Sequence, residues 1–229
     1  MTNDQRATAW QAVSLLLDYP DETLVSQAAV LRAAAETLPV ATGDPLRRFL
    51  DHLVATPLAE LQVDYVTTFD NRRRCNLFLT YFAYGDTRKR GMALLRFKQV
   101  YMAAGVDLGD IELPDHLCVV LEFAATVDGE QGQQLMLDHR AGLELLRLSL
   151  HDIKSQWGHL LDVVTATLPA LRGDERDAVR RLAAEGPPEE EVGLAPFAAP
   201  SFSPNAPSST AGAGPRPTSL PMPSFPGAR

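Results

Sequence analysis

The chain has 229 residues, 45% of them hydrophobic and 22% charged, an ordinary balance for a soluble domain that buries a core. That excludes a fibre and a wholly disordered chain. A formal charge of −8 argues against a general nucleic-acid binder, because attraction to phosphates needs a net basic face.

Helical patterns follow one another from the start of the chain. Trp10, Val13, Leu16 and Leu17 fall on one helical face, which Tyr19-Pro20 ends. Asp21 suits an N-cap for a helix carrying Leu24, Ala28, Leu31 and Ala35. Asp44-Pro45 opens a third, with Leu46, Phe49, Leu50 and Leu53 inside. Thr56-Pro57 opens a fourth, with Leu58, Leu61, Tyr65 and Phe69 inside. Asp86 is placed to cap a long segment that stops at Gly105. Pro114 is expected in the first turn of a helix holding Leu117, Val120, Leu121 and Ala124. Two further helices are predicted over 131–150 and 152–168, and a last amphipathic one over 174–184. The expected class is all-α, a single helical domain of about eight or nine helices spanning 1–186.

Composition changes sharply beyond Gly186, where eleven of the seventeen prolines lie among Ala, Ser and Gly. A segment of this kind buries too little apolar surface to offset its ordering entropy, so 187–229 is expected to be a disordered tail.

Signals for catalysis are missing. The five histidines form no HExxH or paired Glu-x-x-His pattern. Glu112 and His116 are separated by Pro114 and make a poor ligand pair. No GxSxG elbow, GxxxxGKS or GxGxxG loop is present. Cys118, beside the run VVL, reads as a small buried hydrophobe, and Cys75, after three arginines, as structural ahead of reactive. Two cysteines so far apart make neither a disulfide framework nor a zinc ribbon. No run approaches the ~20 apolar residues that span a bilayer, and the opening MTNDQRATAW has no apolar signal core. A cytoplasmic binding protein without cofactor or metal, and not an enzyme, is the expectation.

Charge is unevenly placed. Arg72, Arg73, Arg74, Arg88, Lys89, Arg90, Arg96 and Lys98 stand against Asp86 alone, so that window is +7 and the remainder carries −15. Such a patch suits an anion or an acidic partner, and equally suits pairing with neighbouring acidic helices. Shortly after it, VDLGDIELPD sets Asp107, Asp110, Glu112 and Asp115 among Val, Leu and Ile. A loop of that composition fits a peptide with arginines and apolar anchors, or is simply solvated.

Three strings carry a family resemblance: LLLDYPDETL, VDYVTTFDNRRRCNLFLTYFAYGDTRKRG and ELPDHLCVVLEFAA. Over about residues 10–165 the chain resembles the nitrate reductase assembly chaperones, the delta-subunit or NarJ type. Glu112-Leu113-Pro114-Asp115-His116 resembles the E-x-P-D-H element of the wider TorD/DmsD/NarJ group. The resemblance implies an all-helical, cofactor-free cytoplasmic chaperone. Its partner would be the N-terminal segment of the apo catalytic (alpha) subunit of a membrane-bound molybdenum nitrate reductase. It would hold that subunit ready for molybdenum cofactor and iron–sulfur insertion before membrane docking, and would not remain in the mature enzyme. It would bind no nucleic acid and would not itself insert into the membrane.

The peptide groove is expected near Tyr65, Phe69, Tyr81 and Tyr84 as apolar or aromatic wall, with Glu112, Asp115 and His116 at a polar end. Each aromatic has an alternative as plain core. Arg72, Arg73, Arg74, Arg88 and Arg90 form the candidate anion or acidic-partner patch. His116, with an ordinary pKa near 6.5, would tie peptide affinity to pH. Two other readings stay open: a chaperone for another molybdoenzyme with a twin-arginine leader, and a helical adaptor binding an anionic partner through 72–98.

Overall fold

The computed structural model describes residues 1–109 and 112–186, and the tail expected over 187–229 lies outside the described residues. The described residues are all-α, as the periodicity predicts, with one isolated antiparallel bridge between Phe78 and His116.

Helix α1 (Asn3–Leu16) opens with a capping box in which Thr2 and Gln5 satisfy each other's backbone N–H groups. Asp21 caps α2 (Glu22–Ser26) by accepting from the Leu24 amide at 2.7 Å. The expected single helix here breaks at Gln27, whose ψ of −6° leaves the helical range, and resumes as α3 (Ala28–Glu36). Helix α4 (Val40–Ala55) starts five residues before the expected Pro45. Pro45 is tolerated because Ala41, whose carbonyl loses its bond, is exposed to water. After α5 (Leu58–Tyr65) the backbone first widens into a π-helical turn (Val66–Asp70) and then tightens into a 3₁₀ turn (Arg73–Cys75).

Beyond the short α6 (Tyr81–Tyr84) comes α7 (Lys89–Ala103). Asp86 does not cap α7, since Arg88 holds the cap position; it lies instead 3.7 Å from Arg90 and is mostly exposed. Helix α8 (Leu117–Thr126) starts three residues after Pro114, because 114–116 is spent on backbone pairing with 77–79. The predicted helix over 131–150 divides into α9 (Gly129–Asp138) and α10 (Arg140–Asp152) at His139, whose ring is held by the Leu79 backbone and packs 5.3 Å from the Phe97 ring. Helix α11 (Gly158–Thr167) follows a turn in which Lys154 is left-handed at φ 56°. Helix α12 (Gly173–Glu185) closes the described chain. Among the described residues twelve α-helical segments stand where the periodicity predicts about eight or nine.

One apolar cluster joins these elements. Helix α1 packs on α8 and α11, α11 on α4 and α10, and α3 and α12 cover α4 and α10 from outside. Polar ties inside it are directional: Trp10 donates to Thr167 Oγ1 at 2.9 Å, and Ser14 to the Cys118 carbonyl at 2.8 Å. Both cysteines are buried and free. Burial raises the Cys75 thiol to about 11 despite Arg72, and holds Cys118 well above its usual value. Neither has the thiolate character of a reactive cysteine.

Candidate functional site

The segment Glu112–His116 leaves helical geometry to pair with the chain ahead of α6. The Leu79 amide donates to the Asp115 carbonyl at 3.0 Å, and the Leu117 amide to the Leu77 carbonyl at 2.9 Å. Tyr101 of α7 donates its hydroxyl to the Pro114 carbonyl at 2.7 Å. At the centre lies Asp115, 0% exposed. Its carboxylate accepts from the Thr80 hydroxyl and, at 3.2 Å, from the Thr80 amide. Arg90 stands 3.6 Å from the same oxygen, donates through Nε to Thr80 Oγ1 at 3.1 Å, and lies over the Phe78 ring. Phe78 meets the His116 ring edge-on at 5.1 Å. This network fixes 114–117 at the start of α8; Asp110, expected in the acidic loop, lies outside the described residues.

The loop walls a groove of about 360 Å³ along α8. Its lining includes Val106 and Leu108 from the loop and Val119 and Phe123 from α8, with Glu112 and Glu122 among the same residues. Glu112 and Glu122 are both exposed, so an apolar trough carries an acidic edge. The negative field extends further: Asp18, after α1, and Glu112 both act on His116 and Cys118, and with Asp70 on Tyr65. Tyr19 is exposed beside them and meets the Tyr65 ring edge-on at 5.5 Å.

The expected groove residues separate into interior and surface. Tyr65 and Phe69 belong to the core, where they surround Trp157 at 5.4 and 5.5 Å between ring centroids. The Tyr65 hydroxyl donates to the Leu17 carbonyl, and Trp157 donates to Asp64 at 2.7 Å. Tyr81 is buried against Phe82, and Tyr84 is half-buried. Asp115, expected at a polar end of the groove, is sealed inside and spent on Thr80 and Arg90. Glu112 is exposed at the groove and His116 is half-buried. Of the basic patch, Arg72, Arg73, Arg74 and Arg88 are exposed, whereas Arg90 turns inward. Val119, Phe123 and Glu122 escaped the sequence reading, although Val119, Glu122 and Thr126 repeat at the three-to-four spacing of one helix face.

Burial is the leading cause that lowers the pKa of His52, His116, His139 and His159. Carboxylates oppose it at each: Asp64 at His52, Glu112 at His116, Asp138 at His139 and Asp162 at His159. A base with a depressed folded pKa binds protons more tightly in the unfolded chain, so its stabilisation is complete above the unfolded value and is lost as pH falls through about 6.5. The melting temperature is therefore expected to be lower at about pH 5.5 than at about pH 7.5, and His139→Gln to flatten that difference. Equal melting temperatures at the two pH values would contradict the assignment.

No group of three or more His, Cys, Asp or Glu among the described residues is placed to hold a metal ion. No described helix is long and apolar enough to cross a membrane.

Residues 35–162 match the nitrate reductase delta subunit family. The chain is 39% identical over 158 residues to the nitrate reductase-like protein NarX of Mycobacterium tuberculosis, covering 69% of this chain and 24% of that relative's length. It is 31% identical over 172 residues to the probable nitrate reductase molybdenum cofactor assembly chaperone NarJ of Bacillus subtilis, covering 73% of this chain and 92% of that protein. A third relative, the nitrate reductase molybdenum cofactor assembly chaperone NarJ of Escherichia coli, is 31% identical over 66% of each chain. The family match covers the pairing of 77–79 with 114–117, the groove and most of the core, and the chain belongs to the nitrate reductase delta subunit family.

Proposed function

We propose that this chain is a cytoplasmic assembly chaperone, not an enzyme, that captures the N-terminal segment of the apo catalytic subunit of a respiratory nitrate reductase. It holds that subunit open for molybdenum cofactor and iron–sulfur insertion, then leaves before the enzyme is complete. The observation that carries this reading is the apolar groove with Glu112 and Glu122 at its edge. Such a trough suits an amphipathic helix whose apolar side chains fill it while lysines or arginines meet the carboxylates. Burial of about 400 Å² of apolar surface would contribute about 10 kcal/mol gross. After ordering and association costs, a submicromolar to micromolar affinity is expected. The relatives' names, which join nitrate reductase to molybdenum cofactor assembly, support the client's identity.

The test is calorimetric titration of the full chain with the first ~25 residues of the host's catalytic subunit, long enough for about seven helical turns. Saturable one-to-one binding is expected to persist at high salt, because most of the contact is apolar. Glu112→Lys combined with Glu122→Lys is expected to weaken it about tenfold, or about 1.4 kcal/mol. A twin-arginine leader from another molybdoenzyme, run in parallel, should bind more weakly. Absence of heat with the nitrate reductase segment, or unchanged affinity in the doubly reversed variant, would remove the groove from the mechanism.

A further inference from the structure

Helix α7 has two apolar sides, and the fold uses one of them. Phe97 and Tyr101 turn inward and are buried. Met92, Leu95 and Met102 turn outward and are 71%, 49% and 69% exposed. At 100° per residue these three and Gln99 lie within an arc of about 80°, forming a ridge about 15 Å long at 1.5 Å per residue. Elsewhere large exposed apolar residues are scattered along the helices, as at Val30 in α3 and Val63 in α5, and isolated ones are ordinary on a soluble surface. A methionine-rich ridge is not.

The borders of the ridge are basic. On the same wheel Lys98 falls to one side, where Asp107 shares a small pocket with it and Met102; Lys89 and Arg96 fall to the other, and Arg88 lies at the N-terminal end. No Asp or Glu occurs between Thr87 and Val106, in a chain of net charge −8. Arg96 reaches Asp138 at 2.6 Å and leaves its own residue well exposed. A convex apolar ridge with cations along both edges has the form of a helix that lies in a lipid interface, its apolar side chains among the acyl chains and its basic ones among phosphates. A protein partner would instead have to present an apolar groove with an acidic rim.

We infer that the outer face of α7 adsorbs reversibly to an anionic phospholipid surface, with Met92, Leu95 and Met102 as anchors and the flanking Lys and Arg residues as headgroup contacts. This assigns the basic window a partner of its own, on a different helix face from the acid-rimmed groove, and does not rest on the client's identity. Adsorption of this kind is shallow and involves no crossing of the bilayer.

Flotation of the full chain with vesicles of mixed phosphatidylglycerol and phosphatidylcholine, against pure phosphatidylcholine, tests it. The chain is expected to float with the anionic vesicles at low salt and to be released as salt rises. Met92→Ser, Leu95→Ser and Met102→Ser together should cut the partition at least about tenfold with little change in melting temperature, since none of the three is buried. Lys89→Glu, a single exposed change, should weaken it about fivefold and keeps the test open if the triple variant misfolds. No flotation with anionic vesicles at low salt overturns the inference, as does flotation unchanged in both variants. Binding to polyglutamate without flotation would assign the ridge to an acidic protein and equally overturn it.

Discussion

Replacing Gly132 by alanine is expected to lower the melting temperature by about 4–10 °C. A Cβ at Gly132 would lie 2.3 Å from the Ala124 Cβ and 2.6 Å from its Cα, so the obstacle is the α8 backbone and not a mobile side-chain end. Helix α9 would have to move away from α8 by about an ångström to restore normal contact. The short connection at Val127 and Asp128 resists that, because Asp128 accepts from the Glu130 and Gln131 amides at 3.1 and 2.9 Å and fixes the start of α9. Helix α8 cannot retreat instead, being packed on α1. Overpacking of this kind costs about 3 kcal/mol, slightly offset by alanine's better helix propensity. At 2–4 °C per kcal/mol for a domain of this size, the shift follows. Gly91→Ala provides the opposite sign: nothing lies within 4 Å of its added methyl in α7, and a gain of about 0.5–1 kcal/mol is expected. Calorimetric melting of both variants checks the pair, and a Gly132→Ala protein as stable as its parent would contradict the close crossing of α8 and α9.

What the sequence exposes and what it hides follow from the range of the interactions involved. The all-α class, the capping role of Asp21 and the termination near Tyr19-Pro20 depend on residues a turn or two apart, and periodicity and cap chemistry report such distances. The breaks at Gln27 and His139 do not. His139 interrupts a run of good helix formers because its ring is held from outside by Leu79 and Phe97, some sixty and forty positions away in the chain. Likewise Pro114 fails to start α8 because the backbone around it is claimed by 77–79. Tertiary demands overrode local preference at each of these places.

The same distinction explains the groove. The acidic, apolar composition of 106–115 marks this stretch in the sequence, and of its described residues Val106, Leu108 and Glu112 line the trough. Aromatics were the weaker guide: large side chains serve core and binding surface alike, and Tyr65 and Phe69 went to the core around Trp157 because Phe49 and Trp157 arrive there from α4 and the start of α11. Charge alone did not separate the two arginines of the basic window that look most alike in sequence. Arg88 faces water and Arg90, two residues on, faces Asp115, a difference set by the position of α7 over Thr80.

Asp115→Ala is expected to cost about 3–5 kcal/mol and to weaken the proposed capture of a client segment without altering a residue that lines the groove. The carboxylate is the common acceptor for the Thr80 amide, the Thr80 hydroxyl and the charge of Arg90. Its removal leaves a buried amide and a buried hydroxyl without their acceptor and takes the ionic partner from a largely enclosed guanidinium, which is the expensive way to break an internal ion pair. Asp115→Asn should be milder, at about 1–2 kcal/mol, since an amide oxygen still accepts from Thr80 while only the ionic contact is lost. His116→Gln removes the Phe78 contact at the neighbouring position and leaves the Asp115 network whole, so its effect on stability should be smaller still. The functional consequence runs through the loop: once 77–79 and 114–117 part, the wall carrying Val106, Leu108 and Glu112 is no longer fixed against α8. Affinity for the client segment should therefore fall in the order of lost stability, alanine more than asparagine, at a temperature where all three variants remain folded. Measured by urea unfolding and by titration on the same samples, an alanine variant with full stability would refute the buried network. One that is destabilised yet binds the client segment with full affinity would detach that network from the groove.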